Sequence, residues 1–319
     1  MSKLSPTRIS HSFVIMSRDR PEMLRQTVKL FKFLSHPDHE LIISDNSSSL
    51  VNSKAAKNIC SEYECIFWGN DNLSVMSHYH SILSRREYDY LTIIHDDDLI
   101  MPGFSSVVAA QLGNENNFSV IGYNALFFNA FPSSEPFGEI RCSGRRTLNE
   151  DSDVLIADPL ELLLRWISPF CTGIAPISGC TFNLKCYEKW FFDIYSSSGL
   201  YFDTVLMMLL SEKAPIKWVS NNAVILLREH DSRLTSIASE RDERAFAHAA
   251  KTYFSRPWQI RLLLKFYLHS SKRKRTFRPG DKAVIYFNYC VCLFICFIVW
   301  PQKVPKLLIR KLQDYCFLV

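Results

Sequence analysis

The sequence predicts an α/β protein: a mostly parallel sheet flanked by helices, with a basic and apolar helical appendage at the C-terminal end. Three observations carry this. Short apolar, β-branched runs alternate with helical patterns through the first hundred residues. Polar clusters follow the carboxyl ends of those runs, and the sign of the charge changes along the chain.

HSFVIMS (11–17) reads as a buried strand. PEMLRQTVKLFKFL follows as a helix, with Pro21 at its first turn and Leu24, Val28, Phe31 and Leu34 at helical spacing. ELIISDNSSS is a second strand running into a polar turn, ECIFWGN a third, and SVMSHYHSILSRR a helix. YLTIIHDDDLIMPG is a β-branched strand that ends in three aspartates. Strand and helix alternating at this spacing imply parallel βαβ units, whose ligands bind beyond the carboxyl ends of the strands. Ser17 to Arg20, Asp45 to Ser49 and Asp96 to Asp98 all fall at such ends, and are expected to line one crevice.

Residues 103–170 give no clear pattern, and Arg145 and Arg146 within them are expected in a solvated loop. Beyond them, PISGCTFNLKCYEKWF reads as a loop leading into a strand and helix. GLYFDTVLMMLLSEK is a helix and KWVSNNAVILLREH a strand pair. The α/β domain is expected to span 1–240 and the appendage 241–319.

The chain has 319 residues, 47% hydrophobic and 22% charged, a globular composition with no repeat. Its ten cysteines are scattered among apolar neighbours with no CxxC pair, and MSKLSPTRIS has no apolar leader core. Reduced thiols in a cytosolic protein are therefore expected. GxGxxG and GKS/GKT loops are absent, which argues against dinucleotide oxidoreductases and P-loop enzymes.

Asp96, Asp97 and Asp98 carry the strongest chemical signal. Adjacent carboxylates repel unless positive charge lies among them, and a hard dication such as Mg²⁺ or Mn²⁺ prefers oxygen ligands. Such an ion neutralises the charge that develops on a diphosphate leaving group. The alternative is a solvated acidic turn, which the position at the end of a β-branched strand disfavours.

In order along the chain, FVIMSRDRPEMLRQTVKLF, IISDNSSS and YDYLTIIHDDDLIMPG resemble the opening strand and turn, second strand and metal strand of the family 2 glycosyltransferases with the GT-A (Rossmann-like) fold. The resemblance covers residues 11–104 well and 176–236 in outline. It implies that Ser17 and Arg18 line a nucleotide site and that Asp45 hydrogen-bonds the base or ribose. The spacing to Pro102 sets His95-Asp96-Asp97 on the family's D-x-D signature. Asp97 is then the first metal ligand, Asp98 a second candidate, and Asp96 faces the ribose. His95 stands where an aspartate is common. Asp203, in GLYFDTVLMMLL, matches the aspartate that serves the family as catalytic base, but Phe202 replaces the acid before it. The alternative is an aspartate capping the helix, a role compatible with the first, and Asp193 is the reserve. His230, in LLREHDSRLTS, resembles a late histidine that reaches the metal or diphosphate, and Arg228 could screen the phosphates. His36, His39, His78 and His80 match no ligand pattern.

Residues 1–240 carry 21 Lys+Arg and 28 Asp+Glu, a net of −7; residues 241–319 carry 16 and 4, a net of +12. The run from Lys272 to Lys282 and the apolar segment Ala283 to Trp300 suit an anionic membrane surface, with an interfacial helix pair expected ahead of a span or a buried helix. No recognition pattern for nucleic acid accompanies the basic run. The resemblance implies an inverting glycosyltransferase using a UDP-type donor with Mn²⁺ or Mg²⁺, and the basic tail points to a lipid-linked acceptor. Its acceptor would be a saccharide or lipid-linked saccharide, in surface polysaccharide assembly at the inner face of the cell membrane. A non-catalytic nucleotide-sugar-binding or scaffold protein and a nucleotidyltransferase are the alternatives.

Overall fold

The computed structural model describes residues 9–36, 39–113, 117–130, 140–147, 152–159, 161–162, 175–220, 224–228 and 240–253. The first half alternates as the sequence predicts. It runs β1 (His11–Ser17), α1 (Pro21–Leu34), β2 (Leu41–Asp45), α2 (Leu50–Glu62), β3 (Ile66–Gly69), α3 (Val75–Leu83) and β4 (Tyr90–His95). Next come β5 (Leu99–Ile100), α4 (Phe104–Leu112), β6 (Val120–Tyr123), β7 (Ala125–Ala130), β8 (Ile140–Arg146) and β9 (Val154–Ile156). The rest is β10 (Thr181–Asn183), α5 (Phe191–Tyr195), α6 (Phe202–Lys213), β11 (Ile216–Val219), β12 (Ile225–Arg228) and α7 (Glu240–Tyr253).

Eight strands form the main sheet in the order β3-β2-β1-β4-β10-β6-β11-β9. β1 pairs in parallel with β2 and β4, β2 with β3, and β6 with β11, while β10 and β9 run antiparallel to their neighbours. Alternation along β1 sends Phe13 and Ile15 into one core and Val14 and Met16 into the other. Leu24, Val28 and Phe31 of α1 fill the first; Tyr79 of α3 and Leu206, Met208 and Leu209 of α6 fill the second. Both faces of the sheet are thus covered, as parallel strands require.

Three readings change in the structure. α2 was hidden in the sequence by its weakly apolar face, and its start is set by Ser49, whose side chain accepts from the Asn52 amide at 3.2 Å. Arg145 and Arg146 end strand β8 rather than sit in a loop. β11 and β12 are strands, but not partners: β12 belongs to a second sheet of order β5-β12-β7-β8. The chain crosses between sheets twice, side by side. Asn124, between β6 and β7, donates its backbone N–H to Val219 and its side-chain amide to Ser220, and accepts from the Val224 amide. Its backbone and side chain together tie the two crossings to each other.

α7 packs on α5 and α6 through buried Phe246 and Ala249. Among the described residues no helix is long and apolar enough to cross a membrane. The segments Lys272 to Lys282 and Ala283 to Trp300 lie outside the described residues. Cys60, Cys65, Cys180 and Cys186 are free thiols.

His78 is buried on α3 with Nε2 2.8 Å from the Ser44 hydroxyl. Burial, assisted by His95 and Arg18, lowers its pKa to about 4. The unfolded chain takes up a proton near pH 6.5 while the native state stays neutral. The stability due to this residue is therefore complete above pH 6.5 and is lost as pH falls toward 4, by about 3 kcal/mol in all. Denaturant unfolding across pH 4–7 should show this slope in the wild type and a shallower one in His78→Gln. Equal slopes would contradict it.

Candidate active site

The crevice forms because three adjacent parallel strands stop in register. Ser17 lies opposite Asp45, and Met16 opposite His95. Past those ends, the loops are tied to one another. The Asn46 amide N–H donates to Ser17 O at 2.9 Å, and the Asp96 amide to Met16 O at 3.0 Å. Asp19 adopts a left-handed backbone (φ 55°), and its carboxylate accepts from the Ser48 amide, the Ser48 hydroxyl and the Asn52 side chain. The bond from Asn52 leads in holding its pKa below the usual carboxylate range. The Asn46 side-chain amide exchanges two hydrogen bonds with the backbone of Leu73, and Arg18 donates to Asn72 Oδ1 at 2.8 Å.

Ser17, Arg18, Asp45 and Asp96, singled out in the sequence, therefore line one place. Asp45 is fully buried; its Oδ1 accepts from the Ser47 hydroxyl at 2.7 Å. Its Oδ2 has no hydrogen-bond partner among the described residues. A buried acceptor without a donor costs roughly 1–3 kcal/mol, which a ligand N–H or O–H would offset.

The aspartate triplet divides by depth. Asp96 is fully buried and faces the Arg20 guanidinium, Oδ1 to Nη2 at 2.5 Å. Burial pushes its pKa up to about 7 against the pull of Arg20. Arg20 also reaches Asp97 Oδ2 at 2.6 Å. Asp98 is buried, accepts from the Arg228 amide at 3.1 Å, and has Oδ2 3.9 Å from His95 Nδ1. Burial raises its pKa, with His95 opposing. Thr27 fixes the turn by donating its hydroxyl to the Asp96 carbonyl at 2.8 Å.

His95, Asp97 and Asp98 each offer one ligand atom within 4.8 Å of the others. Two carboxylates and an imidazole suit a divalent cation, so the donor set fits the ion that the sequence called for. Asp97 and Asp98 come together as predicted. His95, read from sequence as a departure, joins them; the signal was its place in the D-x-D register. His230 lies outside the described residues.

Asp203 sits in the first turn of α6, not at its cap, which is Tyr201. Its Oδ1 accepts from the Thr204 amide at 2.7 Å. Burial raises its pKa, and its charge acts on Tyr79, whose hydroxyl meets His95. It therefore stands near the cluster. Phe202 is buried, its ring 5.4 Å from that of Tyr79. Asp193 is exposed on α5, where its charge acts on His80 and Tyr187 instead.

The loop before β10 closes the far side. Ile93 donates to Cys180 O at 3.0 Å and Gly179 to Ile93 O at 2.6 Å, so the chain hugs β4. This brings the Ser178 hydroxyl 3.1 Å from the His95 amide, from which it accepts. Gly179 has φ +85°, and a Cβ there would lie 1.9 Å from Ile225 Cδ1.

No protein-family model and no curated protein matches the sequence. Among solved structures, the fold is similar to that of S. aureus TarS 1-349, with a TM-score of 0.55, 11% identity, and coverage of 94% of this chain and 83% of that one. The same fragment in complex with UDP-GlcNAc matches at a TM-score of 0.54 and 11% identity over 94% and 84% of the two chains. Its complex with UDP matches at 0.51 and 10% over 94% and 83%. The mixed α/β architecture with a large central sheet is thus shared.

Two outcomes follow from this geometry. Arg20→Met strips the counter-charge from Asp96, and, given the partial exposure of Arg20, should destabilise by roughly 1–3 kcal/mol in urea titrations. Adding Asp96→Asn should restore most of that; strict additivity in the double-mutant cycle would refute the pairing. Gly179→Ala should cost about 2–4 kcal/mol through left-handed strain and the clash. Ile225→Val, which removes Cδ1, should recover part of it, and no recovery would show that the clash is relieved elsewhere.

Proposed function

We propose that this chain is a metal-dependent, inverting glycosyltransferase that transfers a sugar from a UDP-type nucleotide diphosphate donor. The observation that carries the reading is the meeting, past the ends of β1, β2 and β4, of three features. These are a buried acceptor with no donor (Asp45), an ion-competent cluster (His95, Asp97, Asp98) and a carboxylate of raised pKa near that cluster (Asp203). Similarity in fold to TarS, solved with UDP-GlcNAc and with UDP, supports a nucleotide-sugar donor.

In this reading Asp45 accepts from the base or ribose, and Ser17 and Arg18 line the nucleotide. Asp96, clamped by Arg20, faces the ribose. His95, Asp97 and Asp98 would hold Mn²⁺ or Mg²⁺, with His230 completing the set, and the ion would supply charge neutralisation at the diphosphate. Asp203 takes the proton from the acceptor hydroxyl. Its raised pKa makes it a stronger base, and its place at a helix head fixes its direction. Attack from the side opposite the diphosphate inverts the anomeric centre.

The acceptor is proposed to be a saccharide or lipid-linked saccharide, and the basic region 241–319 to hold the enzyme on an anionic membrane face, in surface polysaccharide assembly. The net charge of +12 over that region supports this. Release of UDP from UDP-sugars with Mn²⁺ tests the proposal. Asp203→Asn should lower turnover by about 10²-fold or more with UDP binding retained, and Asp97→Ala should abolish the metal-dependent release of UDP. Undiminished transfer by both variants would sink the assignment. Metal-dependent UDP binding without turnover would favour a nucleotide-sugar-binding protein that has lost catalysis.

A further inference from the structure

His95 and Phe202 are the two positions at which the site departs from the acid pattern that the resemblance implies, and both meet one residue. Tyr79, on α3, is 1% exposed. Its hydroxyl lies 2.5 Å from His95 Nε2, and its ring packs against Phe202 with centroids 5.4 Å apart. The Tyr79 and His95 rings are edge-on, at 80°. Phe202 thus gives the phenol an apolar wall, where a carboxylate would set a second charge beside Asp203.

An imidazole can offer a cation only the nitrogen that carries no proton, and the bond made by the other nitrogen decides which one that is. Nε2 is engaged by Tyr79. Nδ1 points to the acids, 3.9 Å from Asp98 Oδ2. Two donors on one ion, each about 2.1 Å from it, stand about 3–4.2 Å apart. A hydroxyl accepts as well as donates, so the Tyr79 oxygen can take Nε2–H and leave the Nδ1 lone pair toward Asp97 and Asp98. Ser178 restrains the same residue by accepting from the His95 amide.

We infer that Tyr79 is a positioning residue that makes His95 Nδ1 a nitrogen ligand, so that the site takes Mn²⁺ or a later first-row dication in preference to Mg²⁺. The inference rests on the proposed metal centre and adds its donor chemistry. Mg²⁺ demands oxygen and keeps its water, whereas affinity for nitrogen rises along the transition series. An aspartate at position 95 would give an all-oxygen set without that bias.

Mn²⁺ bound to the full-length chain, with and without UDP, is to be read by titration and pulsed electron paramagnetic resonance. Directly coordinated ¹⁴N is expected, and should vanish in His95→Asp, in which the Mn²⁺/Mg²⁺ affinity ratio falls by about tenfold or more. Tyr79→Phe, which keeps the ring against Phe202, should weaken Mn²⁺ binding by about 10–100-fold. Should that variant fail to fold, two-bond ¹H–¹⁵N spectra of the Zn²⁺-loaded wild type decide the point: metal on Nδ1 with the proton on Nε2 supports the inference, and metal on Nε2 overturns it. Mn²⁺ bound without ¹⁴N coupling, or unchanged affinity in a folded Tyr79→Phe, overturns it while leaving the proposed glycosyltransferase standing. A wild-type chain that binds no Mn²⁺ removes the metal centre itself.

Discussion

Setting three carboxylates at the end of a buried strand concentrates negative charge where little water can screen it. Asp96 cannot relax outward, because its amide completes the β1–β4 ladder through Met16 O and its carbonyl accepts from Thr27. The charge has to be met in place, and Arg20 meets it by reaching both Asp96 and Asp97 from the turn between β1 and α1. That pair links strand order to site chemistry. It requires β1 beside β4 in parallel and in the observed register, and it requires Pro21 to start α1 immediately after Arg20. A slip of one residue would turn Asp96 away from the guanidinium and send Ile94 and Ile93 into the wrong cores.

The remaining parts of the crevice follow from the same geometry. Parallel strands leave their loops at one edge, and here the loops bond to one another more than to solvent: Asp19 to Ser48 and Asn52, Asn46 to Leu73, Arg18 to Asn72. The antiparallel strand β10 does separate work. Entering from the opposite direction, it delivers the loop of Ser178 and Gly179 to the end of β4, and Gly179 is the residue that lets this loop approach β12 so closely. β12 in turn presents the Arg228 amide to Asp98.

Much of this could be read from residues in order. The apolar runs of β1, β2 and β4 and the polar residues after them carry the period of buried strands and the chemistry of their ends, and the predicted cluster of Ser17, Arg18, Asp45 and the triplet is the one that forms. What could not be read depends on pairing at a distance. KWVSNNAVILLREH shows two strands but not that Asn124, a hundred residues away in sequence, parts them into different sheets. α2 shows few apolar positions because its buried face is narrow, three residues deep. His95 was legible as a departure, while its use was not, since nothing in the local sequence joins it to Tyr79.

Charge accounting shows why a histidine fits there. With all three aspartates ionised and Arg20 in place, the cluster carries −2, which one dication cancels; a fourth carboxylate at position 95 would leave an excess. Burial already raises the pKa of Asp96 and Asp98, a sign that the cluster resists holding its full charge alone. A neutral imidazole would add a donor without adding charge, next to the buried Tyr79. Phe202 follows the same logic on the other side of that ring, setting an apolar side chain where a carboxylate would add charge beside Asp203. The site thus has carboxylates facing the crevice and uncharged rings facing its wall, so that burial and binding chemistry do not compete for the same charge.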